Sequence, residues 1–117
     1  MEHKNDLAKR LYSFSIDVIK YLRTISDTIE YKVIKYQLIK SATSPGANYE
    51  ESQGASSRAD FHNKIMISLK EMRESNYRLK IIKDINDDDK NIELNKLIKE
   101  SSELMNILGS ISAKTKK

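Results

Sequence analysis

The chain has no cysteine, one proline and three glycines in 117 residues. Without cysteine there is no disulfide, no thiolate zinc site and no cysteine nucleophile. So little proline and glycine leaves few turn formers, so the elements must be long and uninterrupted. In a chain this rich in Lys, Glu, Leu and Ile, those elements are helices. No window approaches the roughly 18 apolar residues of a membrane span. The start, Met1-Glu2-His3-Lys4-Asn5-Asp6, is polar with no apolar stretch of signal-peptide length behind it, so the expected compartment is the cytoplasm and no membrane partner is expected.

Chemistry-bearing patterns are scarce as well. Only His3 and His62 are available as imidazoles. A helical di-metal site needs a Glu three residues before the His, and Ala59 stands there for His62. Asp87-Asp88-Asp89 lacks the glycine and spaced ligands of a calcium loop and reads as the acidic first turn of a helix, favoured by the helix dipole. No glycine-rich phosphate loop, Gly-x-Ser-x-Gly elbow or Ser/His/Asp set is present. The expectation is a protein that is not an enzyme and holds no cofactor or metal.

What is present is a globular composition, with 32% charged and 38% hydrophobic residues. Net charge is +4, and Lys114, Lys116 and Lys117 supply three of those charges, leaving the body nearly neutral. Those three lysines are the candidate nucleic-acid contacts, although a basic tail also serves solubility alone. No concentrated basic patch and no aromatic stacking platform stand out in the monomer.

Apolar spacing predicts one domain over 1–117, with helices at about 5–25, 28–52, 58–85 and 87–111 and a basic tail at 112–117. Leu7, Leu11, Phe14, Val18, Leu22 and Ile25 step by four and three. Ala8, Tyr12, Ile16 and Ile19 widen this arc beyond what one bundle core requires. Asp27 or Thr28 suits the N-cap of the second helix. That helix carries two opposed stripes: Ile29, Val33, Tyr36 and Ala47 on one side, Tyr31, Ile34, Leu38, Ala42 and Tyr49 on the other. Both are expected to be buried. The stripes keep their phase across Pro45, which favours one kinked helix over two short ones. Ser57 and Asp60 form a capping-box pattern before the third helix, whose stripe is Phe61, Ile65, Leu69, Met72 and Leu79. Leu94, Leu97, Ile98, Leu104, Met105, Leu108 and Ile111 make the face of the fourth.

Gln37, Ser41, Ser44 and Asn48 step by four, three and four, forming a narrow polar arc between the two apolar stripes of the second helix. Small and hydroxyl side chains there let backbones approach closely. A Gln/Asn network would also fix the register of a contact, and a polar pocket or pore lining is the alternative.

Gln37-Leu38, Lys40 to Tyr49 and Glu51 resemble the signature of the bacterial four-helix-bundle proteins known as 23S ribosomal RNA intervening-sequence proteins. Ser57 to Phe61, Leu69-Lys70-Glu71, Arg73-Glu74-Ser75, Tyr77 and Ile107 to Ile111 agree in order along nearly the whole chain. Glu50-Glu51-Ser52 departs from the family's pattern of a small residue, the Glu and a glycine, and Arg78 stands where tryptophan is frequent. The resemblance implies an all-α fold, an up-down left-handed four-helix bundle assembling into a ring-shaped homo-oligomer, most often a pentamer. It implies structural or assembly roles for Gln37, Ser41, Ser44, Asn48, Glu51, Arg58 and Asp60, and no catalytic residues. A related family, the accessory variability proteins of diversity-generating retroelements, forms basic pentameric bundles that bind a reverse transcriptase and nucleic acid. Five copies of +4 give +20. The expected role is therefore a non-enzymatic oligomeric interaction protein associated with RNA or DNA, or with a nucleic-acid-processing protein. The alternative is a structural adaptor whose partner is another protein.

Overall fold

The computed structural model describes residues 3–86 and 91–116. Four helices account for most of them: α1 (His3–Leu22), α2 (Ile29–Ser52), α3 (Arg58–Asn86) and α4 (Ile92–Thr115), with no strand among the described residues. The 29 residues of α3 rise about 1.5 Å each and so account for the 44 Å long axis of the molecule.

Helices adjacent in sequence pack side by side, α4 returns to α1, and the diagonal pairs do not approach one another. Direction follows from the contacts. Ser15 reaches Ala42; Ser41 and Pro45 meet Ser75 and Ser68; Asn76 meets Ser101; Arg10 meets Glu100. Each pairing runs antiparallel, so the bundle is up-down throughout.

The apolar stripes form one core. Leu11, Phe14, Val18, Leu38, Ile65, Met72, Leu79, Leu94, Leu104 and Leu108 are fully enclosed, with Tyr21 and Ile82 added to the expected set. Among the described residues seven polar side chains are buried with them, six of them serines. Small hydroxyl-bearing residues at the seams let helices approach closely while their oxygens find carbonyls.

Several helix ends differ from the sequence reading, while the N-cap of α2 is one of the two expected residues. α1 stops at Leu22 rather than Ile25, because Thr24 Oγ1 donates to the Tyr21 carbonyl at 2.6 Å and the Thr24 and Ile25 amides bond the carbonyls three positions back instead of four. Thr28 is the N-cap of α2, with Oγ1 accepting from the Tyr31 amide. At α3 the Ser57 hydroxyl accepts from the Asp60 amide, but the Asp60 carboxylate, one methylene shorter in kind than the usual Glu, bonds the Ser56 amide instead of that of Ser57. The described start of α4 is Ile92, capped by Asn91 Oδ1 on the Leu94 amide at 2.9 Å. Asp87, Asp88 and Asp89 lie outside the described residues. The fourth helix also continues past Ile111. Residues 112–115 are helical rather than tail, because Ser112 is buried against Met66 and Thr115 Oγ1 meets His62 Nδ1 at 2.9 Å.

One helix runs through Pro45. The ring is buried, and the Pro45 carbonyl accepts from Ser68 Oγ of α3 at 2.9 Å. The proline thus lies at the α2–α3 seam, where a neighbouring side chain engages its backbone.

Candidate functional site

Of the two apolar stripes on α2, the chain buries one. Tyr31, Leu38, Ala42 and Tyr49 face the core, Ile34 is half-buried, and Tyr31 donates through its hydroxyl to Asn86 Oδ1. Burial raises the phenol pKa of both Tyr31 and Tyr49 above its ordinary value. The second stripe is open: Ile29 is 83% exposed, Val33 59% and Tyr36 61%, with Ala47 also exposed. The expectation that both sides are buried fails within the single chain. α2 has neighbours on two flanks only, α1 and α3, and its third side has no helix opposite.

The open stripe continues onto both neighbours. Towards α1 it meets a groove of about 340 Å³ lined by Tyr12, Ile16, Ile19, Thr43, Gly46 and Ala47, with Tyr12 69% exposed. The groove is shallow-walled because the helices touch through small residues. Ser15 Oγ donates to the Ala42 carbonyl at 2.9 Å, and Gly46 sits so close to α1 that an added Cβ would lie 3.5 Å from Leu11 Cβ. Towards α3 the antiparallel register and a turn of 100° per residue bring exposed Ile67 and Ile85 to the same outer side. Lys40 crosses the stripe with its ammonium 5.4 Å from the Tyr36 ring centroid.

The motif residues do not converge on one pocket. Gln37 is exposed on the flank of the open stripe. Ser41 is buried, accepts from Ser75 Oγ at 2.9 Å and donates to the Leu38 carbonyl. Asn48 Nδ2 donates to both the hydroxyl and the carbonyl of Ser44 at 3.0 Å. Glu51 pairs with Lys64 at 2.8 Å, which holds the Lys64 ammonium pKa above its ordinary value. Asp60 caps α3, and Arg58 is exposed beside His62 and Thr115. Lys114 is exposed in the last turn of α4, Lys116 is exposed at its C-cap, and Lys117 lies outside the described residues. Among the described residues no group of three or more metal-ligating side chains occurs, and no helix is long and apolar enough to cross a membrane.

Two features escaped the sequence reading. Ser68 and Ser75, which tie α3 to α2, are polar positions lying inside an apolar stripe, and only their intervals from Ile65 and Met72 hint at an inward face. Lys70, Arg73, Tyr77 and Lys80 form an exposed row on α3, hidden in sequence by the glutamates interleaved with them.

The family model of the 23S rRNA-intervening sequence protein matches residues 3–110. The chain belongs to that family. A crystal structure of a protein of unknown function from the S23 ribosomal protein family of Bacteroides thetaiotaomicron VPI-5482 has the same fold. It is 30% identical, with 97% of this chain and 99% of that one covered at a TM-score of 0.80. No curated protein matches the chain. Family membership therefore carries the four-helix fold and leaves the function of the family open.

Proposed function

We propose that this protein is a non-enzymatic subunit of a ring-shaped homo-oligomer, a pentamer, whose partner in the cytoplasm is RNA or DNA. The observation that carries the assembly is the open stripe of α2. Ile29, Val33 and Tyr36, continued by Tyr12 and Ile85, form an apolar surface of the kind that marks association sites. Covering such side chains contributes roughly 1.5–3 kcal/mol each at full burial. A stripe bordered by two different helix flanks suits a heterologous contact, and cyclic closure satisfies every copy without filaments. Gln37, Ser44 and Asn48 border this surface and would fix its register. The count of five rests on resemblance to the family.

Gel filtration coupled to light scattering is the test. We expect a mass near five times the 13.5 kDa of one chain, and a Val33→Glu, Tyr36→Glu double variant that runs smaller yet remains helical. A wild-type mass of one chain overturns the assembly, and a dimer overturns the ring. A protein–protein adaptor is the second reading, and the apolar stripe supports it equally if a different chain covers it.

A further inference from the structure

The outer side of α3 that faces α4 differs in character from the apolar stripe. Lys70, Arg73, Tyr77 and Lys80 follow one another at intervals of three, four and three, which at 100° per residue confines them to about 80° of arc along about 15 Å. All four are exposed, Tyr77 to 67%. None of the three cations forms an ion pair among the described residues, whereas Arg78 on the opposite flank of α3 is matched with Glu74.

The acidic side chains of α4 nearest the middle of the bundle are held away from this row. On α4, Glu100 and Glu103 turn to the other side of the bundle, where both bond Arg10 of α1. The flank of α4 beside the row is Ser102, Asn106, Gly109 and Ala113, all uncharged. Asn76 Nδ2 bridges the seam to Ser101 Oγ at 2.8 Å and Ser102 Oγ at 3.1 Å, which fixes the two helices in this register. On the arc itself, Asp84 at the far end is the one carboxylate among the described residues. The result is three cations with an exposed phenol ring between the second and the third, beside a neutral shelf.

We propose that this α3–α4 face binds single-stranded nucleic acid, with Lys70, Arg73 and Lys80 on phosphates and Tyr77 stacked under a base. The inference rests on the nucleic-acid reading above and adds the surface and the strandedness. Cations neutralising phosphates release counterions and supply affinity without sequence preference. An exposed aromatic ring offers a face to any unpaired base, which a duplex withholds. The row lies on the side of α3 away from α2, so assembly through the α2 stripe leaves it open. Each added subunit repeats it, which raises avidity for a long strand.

Fluorescence anisotropy on the full-length protein is the test, using labelled 20-nucleotide dT and U strands and a 20-base-pair duplex between 50 and 200 mM salt. We expect both single strands to bind more tightly than the duplex. The Lys70→Ala, Arg73→Ala, Lys80→Ala variant should flatten the log–log salt slope by about 2. Tyr77→Ala should weaken binding about 5- to 150-fold, and Tyr77→Phe should restore it. Gly109→Glu places a carboxylate on the shelf where an added Cβ meets nothing within 4 Å, and should weaken binding with the fold intact by circular dichroism. Absence of any wild-type binding at 50 mM salt overturns the nucleic-acid reading itself. Binding that survives these α3 variants, or falls only with Lys114→Ala, Lys116→Ala, Lys117→Ala, overturns this surface alone. Equal duplex affinity overturns the role of Tyr77.

Discussion

The α2–α3 seam and the α1–α4 seam close the same bundle with opposite chemistry. Along the middle of the α2–α3 seam the polar contacts are neutral and enclosed: Ser75 Oγ donates to Ser41 Oγ, and Ser68 Oγ donates to the Pro45 carbonyl, while an ion pair, Glu51 with Lys64, lies exposed at the loop end. Between α1 and α4 they are ionic and wet. Arg10 forks onto Glu100 at 2.9 and 2.7 Å and reaches Glu103 at 2.8 Å, and its hydrogen bonds to Glu100 lead in raising its already high pKa. An open groove of about 410 Å³ lies beside that contact, lined by Phe14 and Leu97 among others. Buried hydroxyl contacts require close backbones and fix one register. Long charged side chains span a wider gap and tolerate sliding. The pair that bears the open stripe is thus the more tightly defined pair, as a surface that must match a second copy requires.

That contrast can be broken most strongly in the core shared by α2 and α3. Leu79→Ala removes a fully buried side chain and should cost about 2–5 kcal/mol in urea denaturation at fixed protein concentration. A smaller loss would mean that the seam relaxes into the space. Ser75→Leu should cost about 1–3 kcal/mol by forcing α2 from α3, and should also alter the light-scattering mass, because it displaces the helix that bears the stripe. An unchanged stability and mass would contradict the close approach inferred from the serines.

Arg10→Gln should cost about 1 kcal/mol or less, and less again in high salt, since the Arg10 side chain is more than a third exposed. If it rivals Leu79→Ala, the α1–α4 seam is not the looser one. The smallest effect belongs to the α1–α2 corner, where Lys35 Nζ meets Asp27 at 2.7 Å and the Ile25 carbonyl at 2.6 Å. The Lys35 hydrogen bond holds the Asp27 carboxyl below its ordinary 3.8. A depressed carboxyl contributes stability above its unfolded pKa and loses it as pH falls through the folded one. Asp27→Asn should therefore differ slightly from wild type at neutral pH and converge with it below about pH 3.8. Divergence on acidification would reverse the sign.

Much of this was legible in residue order. Leu7, Leu11, Phe14 and Val18 announce the inward face of α1 by spacing, and chemistry narrows the start of α2 to Asp27 or Thr28, of which Thr28 is the cap, whereas the Asn91 cap of α4 is hidden behind the run of aspartates. The phase of the stripes flanking Pro45 carries one helix through it, as α2 has it. The polar seams were not legible. Ser41, Ser44 and Asn48 form one row in sequence, yet one points to Ser75 and the other two bond each other. The row of Lys70, Arg73, Tyr77 and Lys80 became a surface only when Glu100 and Glu103 were drawn to Arg10.

The sequence by itself determined the helices, because 3.6-residue periodicity and capping act within a dozen neighbouring residues and need no partner. It also determined that α2 is apolar on two sides. Which side meets the core, and which serine meets which carbonyl, was decided only by tertiary structure. Those outcomes depend on pairings between residues tens of positions apart, and a helix apolar on opposite faces carries no local signal to choose between them.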